Sequence, residues 1–318
     1  MVQQSSVQAI PQDELRKLIH PSEDSRYLLA ALTSLAVLAV TAYVILQTGV
    51  GFLIVIAGAV FGVWFATRML QARLVGNAVR VSPLNFPELY GVLEGVKQRL
   101  GYTEPVHIYV VESGDLNGFL YRFFRTRFIV LNSELVTAMT EQGDLMQLTW
   151  IVARFVGALK TKHLRLEYIR LLIGALQGTG IFNFLLLPYE RATQYSGDQI
   201  GLALCGDLGQ AHLAMLKFVA GKDLAQRVNP WAFIVQAGEI RRTFFGWYSQ
   251  LLQRHPHWTN RYLNLLDFTR KMYRDHYVSY LVAHGIDPRL VDKVLSQGSP
   301  YAVEAQAATL SVPPQPRS

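Results

Sequence analysis

Residues 27–67 contain no Asp, Glu, Lys, Arg or His, a run of 41 positions. That is too long for one membrane crossing and suits two spans of about 20 residues each. The pattern predicts a transmembrane hairpin, with spans at about 27–47 and 49–67 and a turn at Gln47-Thr48-Gly49. Gly58 and Gly62 form a G-x-x-x-G pair that would let the two helices approach closely. A third apolar stretch, residues 171–187, is uncharged but only 17 residues long, with Gly174, Gly178 and Gly180 inside it and Pro188 just after. It is read as a bent segment lying in the membrane interface, or buried in the core, rather than as a simple span.

Outside these runs the polarity alternates on shorter periods. Residues 84–100 read as a helix closed by Gly101, and residues 106–111 and 128–131 as short strands. From Asp144 to about residue 295 the periodicity is helical, with Asp144 a candidate N-cap and Pro188 a candidate opening residue for a further helix. The Ala-, Pro- and Ser-rich tail at 298–318 is expected to be disordered. The chain therefore divides into a polar segment 1–26, the hairpin 27–70, a body 71–297 and the tail. The fold class is α+β and mainly helical, with a small sheet. About 225 residues between hairpin and tail suffice for one sizeable core.

Charge adds an orientation. Arg16, Lys17 and Arg26 precede the hairpin and Arg68, Arg73 and Arg80 follow it, so both flanks carry the positive charge expected on the cytoplasmic side. An integral protein of the inner or cytoplasmic membrane, with its body facing the cytoplasm, is the expectation. The first 26 residues include Asp13, Glu14, Glu23 and Asp24, which argues against a removable signal peptide. A net charge of +7 and a pI near 9.5 raise the question of nucleic acid, but no nucleic-acid motif accompanies them. Arg241, Arg242, Arg270, Lys271 and Arg274 are read instead as a face turned to anionic lipid headgroups. The single Cys205 forbids an internal disulfide and suits a reducing compartment.

The candidate chemistry lies in residues 151–163, IVARFVGALKTKH. Zinc proteases place H-E-x-x-H on such a helix, so that two histidines one turn apart share a face and the Glu between them acts as general base. This window instead reads Arg154-Phe155-Val156-Gly157-Ala158, with Lys160 and His163 following in the register of H-E-L-G-H-I-K-x-G-H. Residues 189–207, YERATQYSGDQIGLALCGD, are similar to R-A-x-E-Y-x-A-D-R-x-G-L, the segment that supplies a third zinc ligand; Gln194 replaces that Glu, while Arg191, Ala192, Tyr195, Asp198, Gly201 and Leu202 keep the pattern. Asn117-Gly118-Phe119 and residues 127–133, RFIVLNS, resemble N-A-F and I-V-x-T-S-G-L-L. His255-Pro256 and Arg261 resemble H-P-x-x-x-R-I, with one extra residue of spacing. Together these resemble the HtpX / CAAX-prenyl-protease (gluzincin) family of membrane zinc metallopeptidases, over roughly residues 79–266.

The resemblance implies a zincin-like body with a substrate-facing edge strand, assigned to the segment around Asn117 and residues 127–131, and a zinc site. The degenerate positions Arg154, Phe155, Ala158 and Gln194 leave no catalytic residue and no metal ligand, so zinc is expected to be absent. Asn117, Asp198, His255 and Arg261 are the retained positions, expected to support the former metal site or line its groove. We expect Arg154 to point into the vacated site and pair with Asp198, within about 6 Å. A displaced metal site built on His163, His255 or His257 lacks any accompanying carboxylate or thiolate cluster in the sequence. In the family the helices around 154 and 194 pack together, which a single crossing at 171–187 would forbid. The leading expectation is a pseudopeptidase that binds or scaffolds membrane or misfolded proteins, with a peptide or membrane protein as partner besides the bilayer and no nucleic acid. The alternatives are an active endopeptidase with unorthodox ligands and a purely structural subunit of a membrane complex.

Overall fold

The apolar run folds as two long helices in a computed structural model that describes residues 9–123, 126–141, 143, 145–166 and 185–297. Helix α1 (Gln12–Lys17) precedes them; α2 (Glu23–Thr48) and α3 (Val50–Asn77) form the hairpin, turning at Gly49, whose φ of 70° suits glycine. Their apolar windows, Glu23–Val44 and Leu53–Asn77, are 11% and 0% buried. A core helix of a soluble body would be mostly buried, so these surfaces need another apolar environment. The expected close approach at Gly58 and Gly62 is not seen: a Cβ added at either would meet nothing within 4 Å. The motif promotes packing only on the side facing a neighbouring helix, and here the pair faces away.

The segment ahead of the hairpin is held to the body. Leu15 and Leu18 join the main core, and the Ile10 N–H donates to the Arg99 carbonyl at 2.8 Å.

The sheet comprises β1 (Val79–Arg80), β2 (His107–Val111), β3 (Gly118–Phe123) and β4 (Thr126–Asn132), in the order β1-β2-β4-β3. β2 and β4 run parallel, whereas β1 and β3 pair antiparallel to their neighbours. Phe128, Ile129, Val130 and Leu131 are all buried, as a strand covered on both faces requires. That corrects the expected edge: residues 127–131 lie inside the sheet, and the edge is β3, paired from Gly118↔Leu131 to Phe123↔Thr126. Helix α4 (Pro87–Arg99) ends as expected, at Gly101 with φ of 56°.

After α5 (Ser133–Thr140), helix α6 (Met146–Lys160) runs through the core with Trp150, Ile151, Val152, Ala153 and Val156 buried. It packs on α7 (Leu187–Cys205), which opens with Pro188 in its first turn. The contact is close because two glycines permit it. A Cβ at Gly157 would sit 2.7 Å from Ile200 Cγ2, and one at Gly201 would sit 2.7 Å from Trp150 Cδ1 and 2.8 Å from the Trp150 carbonyl oxygen. Helices α8 (Leu208–Ala220), α9 (Lys222–Ala225), α10 (Pro230–Arg242), α11 (Phe244–Leu252), α12 (Trp258–Met272), α13 (Arg274–Ala283) and α14 (Pro288–Gln297) complete the described body. The expectations for Asp144, for most of 171–187 and for the tail fall outside the described residues.

Candidate functional site

Arg154 and Ala158 stand one turn apart on α6, as do Gln194 and Asp198 on α7, so the 3.6-residue period turns both pairs into the seam between the helices. Arg154 Nε lies 2.7 Å from Asp198 Oδ1, and Arg154 Nη2 donates to Gln194 Oε1 at 3.1 Å. The Nε–H is poorly aligned for a hydrogen bond, so the Asp198 contact is mainly ionic. The pairing expected from the sequence therefore forms, and the Gln194 amide completes it. Arg154 also lies over the Trp150 ring, 4.7 Å from its centroid.

Asp198 is fully buried and serves a second guanidinium. From α12, Arg261 Nε donates to Oδ2 at 2.8 Å and Nη2 to Oδ1 at 2.7 Å, a bidentate fork, while the Trp258 ring stacks beneath it at 3.9 Å. One carboxylate thus faces two arginines. Burial, and then the charge of Arg261, push the Arg154 pKa down to about 10, against the attraction of Asp198. His255 is held neutral, at about 4, by burial and by the charges of Arg261, Arg254 and Arg154.

This donor set does not suit a zinc ion. A dication there would meet two guanidinium groups, and the nearest carboxylate is already saturated by them. Among the described residues, no three His, Cys, Asp or Glu side chains gather as a metal-binding group.

The seam opens into a cleft of about 710 Å³. One wall is β3, from Gly118 to Tyr121, beside Asn117; the other carries Arg154, Ala158, Gln194, His255 and Arg261. Phe155 lines the cleft without filling it, and an added Cβ on Gly118 would come within 3.4 Å of its ring. The Asn117 side-chain oxygen accepts the Gly118 N–H at 2.8 Å, which fixes the start of the edge strand. Thr67 and Leu70 of the hairpin also border the cleft.

His163 follows the end of α6 in a short 3-10 turn, off the face of Arg154. Its Nε2 lies 3.1 Å from Glu23 Oε1, and the Ser196 hydroxyl donates to Glu23 Oε2 while accepting the His20 N–H at 2.9 Å. The Glu23 tie was not legible: Ser196 reads as ordinary variation, and Glu23 as one acid among several before the hairpin. The one signal is its place at the edge of an uncharged run. Elsewhere, Arg270 and Lys271 pair with Asp267 and Arg274 with Asp292, so these cations are partly neutralised by their own body.

Comparison with known proteins adds one finding. No curated protein and no solved structure matches the chain. Residues 145–269 match the family model of Peptidase family M48. That span contains Arg154, Phe155, Ala158, Gln194, Asp198, His255 and Arg261, whereas the sheet lies before it. Over the helices of this span, the chain is similar to Peptidase family M48.

Proposed function

We propose that the protein is a degenerate, HtpX-like relative of these metallopeptidases, with a zincin-like body, which binds extended segments of membrane or misfolded proteins without cleaving them. The observation that carries this reading is the double use of Asp198: two arginines take up the acid beside the former metal position, while the cleft next to it stays open. Arg154 supplies a fixed positive charge where a dication would stand, Phe155 cannot accept a proton, and neither Ala158 nor Gln194 offers a good ligand. The edge of β3 offers main-chain groups to an extended peptide. The hairpin holds the cleft at the bilayer, with the body on the cytoplasmic side.

Metal content of the detergent-purified protein tests the reading, run beside the variant Arg154→His, Phe155→Glu, Ala158→His, Gln194→Glu. Wild type is expected metal-free and the variant to hold one zinc per chain. Stoichiometric zinc in wild type overturns the proposal and restores catalysis. A photo-crosslinking residue at the exposed Phe119 of β3 tests the groove: peptide adducts lost on competition with free peptide support it. Partner association that survives cleft substitutions and fails only with the hairpin supports a structural subunit instead.

A further inference from the structure

Helix α11 is short and carries four large aromatic side chains outward. Phe244, Phe245, Trp247 and Tyr248 are 66%, 78%, 57% and 46% exposed, while Gly246 turns inward against the Ile240 carbonyl. At 100° per residue these four positions fall within about 160° of arc, so they form one face. The helix sequence FFGWYSQLL holds no charged residue, and Arg241 and Arg242 stand just ahead of it in the chain. Exposed aromatics gathered on one face mark a binding surface. Trp and Tyr beside Phe, flanked by arginine, is the chemistry of a membrane–water boundary.

Position decides the occupant. Arg191 Nη1 donates to the carbonyls of Gln250, Leu251 and Gln253 at 3.0–3.1 Å, fixing the C-terminal end of α11 to α7. Arg254 Nε adds a bond to Glu190 at 2.9 Å. On the same turn of α7, the Pro188 carbonyl accepts from Arg26 at 3.4 Å and Tyr189 packs on Tyr27, ring centroids 5.4 Å apart. Arg26 and Tyr27 are where the uncharged run of α2 begins. The end of α11 is therefore one helix width from the point at which the hairpin leaves the body. A nine-residue helix extends only about 14 Å, so its aromatics stay near that level.

We propose that α11 is a second membrane contact, lying in the headgroup region of the same bilayer with Phe244, Phe245, Trp247 and Tyr248 among the acyl chains. The inference rests on the hairpin being membrane-inserted. With two contacts on the lipid, the body is oriented as well as tethered, and the cleft is held at a fixed tilt to the surface.

The test uses the full chain in liposomes of neutral and anionic phospholipid, with Cys205 replaced by Ser and nitroxide labels at Phe245→Cys, Tyr248→Cys and Ile54→Cys. Accessibility to oxygen against a water-soluble nickel chelate reads the depth of each label. Expected are oxygen-to-nickel ratios for 245 and 248 several-fold above that of a label in water, and a higher one still at 54. Aqueous ratios at 245 and 248 with a membrane ratio at 54 overturn this inference alone, and point to a protein partner for the aromatic face. Aqueous ratios at all three overturn the hairpin as well.

Discussion

Asp198 is fully buried between two guanidinium partners, so its removal leaves two like charges facing each other in a buried seam. Asp198→Asn is expected to cost about 3–5 kcal/mol, as for a broken buried pair. Arg154→Met leaves the bidentate Arg261–Asp198 fork intact and relieves the repulsion that lowers the Arg154 pKa, so it is expected to cost under about 1.5 kcal/mol or to stabilise. Thermal unfolding in detergent should rank the two in that order, and equal losses would show that Arg154, not Arg261, is the main partner of Asp198. A second expectation concerns protons. His212 is stacked on Tyr262 with ring centroids 3.6 Å apart, and burial lowers its pKa from 6.5 to about 3; His255 is lowered to about 4. Below pH 6.5 the unfolded chain takes up protons that the folded chain refuses, so stability falls with pH by up to about 1.4 kcal/mol per unit for each histidine, down to the folded values. His212→Phe should flatten the fall in melting temperature between pH 7 and pH 5; parallel profiles would remove His212 from the account. The Arg154–Asp198 pair was legible because the sequence offers a cation and an acid on two helices expected to pack together. The share of Arg261 was not, since a six-residue spacing after His255 says nothing about which carboxylate it reaches.

Helices α6 and α7 approach through Gly157 and Gly201, and both glycines stand in the motif registers read from the sequence. Their physical reason became plain only in the packing. At Gly201 an added methyl meets a backbone oxygen, which cannot rotate away, and Arg154 Cγ at 2.9 Å. Gly201→Ala is therefore expected to lose about 1–3 kcal/mol by overpacking. At Gly157 the obstacle is the Cγ2 methyl of Ile200, on a side chain that can shift where a backbone oxygen cannot, so Gly157→Ala should lose less. Chemical denaturation of the two variants, at unchanged m, checks the ranking; a milder effect at Gly201 would mean that the seam opens freely. The sheet shows the opposite balance. The sequence predicts a strand at 128–131 in the edge segment, although four consecutive apolar residues are the mark of a strand covered on both faces. The true edge, β3, mixes Gly, aromatics and Arg, and its two-residue period says only that it is extended.

At the scale of the whole molecule, hairpin and body share a buried polar joint. Glu23 opens the first hairpin helix, is 3% exposed, and meets both Ser196 and His163. Ser196 lies two residues before Asp198 on α7, so the joint and the arginine seam are built on the same helical turn. In the sequence these parts look separate because a polar segment before an apolar run resembles a solvated leader, and no local pattern tells which distant hydroxyl will satisfy a buried acid. Glu23→Ala deprives Ser196 of its closest acceptor and His163 of its carboxylate neighbour, at a cost of about 1–3 kcal/mol. A merely local loss would lower the melting temperature and change nothing else. A joint that couples the membrane to the cleft predicts more: hydrogen exchange should quicken together in the first turns of α2 and in α7 around residues 192–198, while β2 and β4 keep their protection. Exchange that quickens in α2 alone would show that the hairpin is only a tether, and that the orientation of the cleft is set elsewhere.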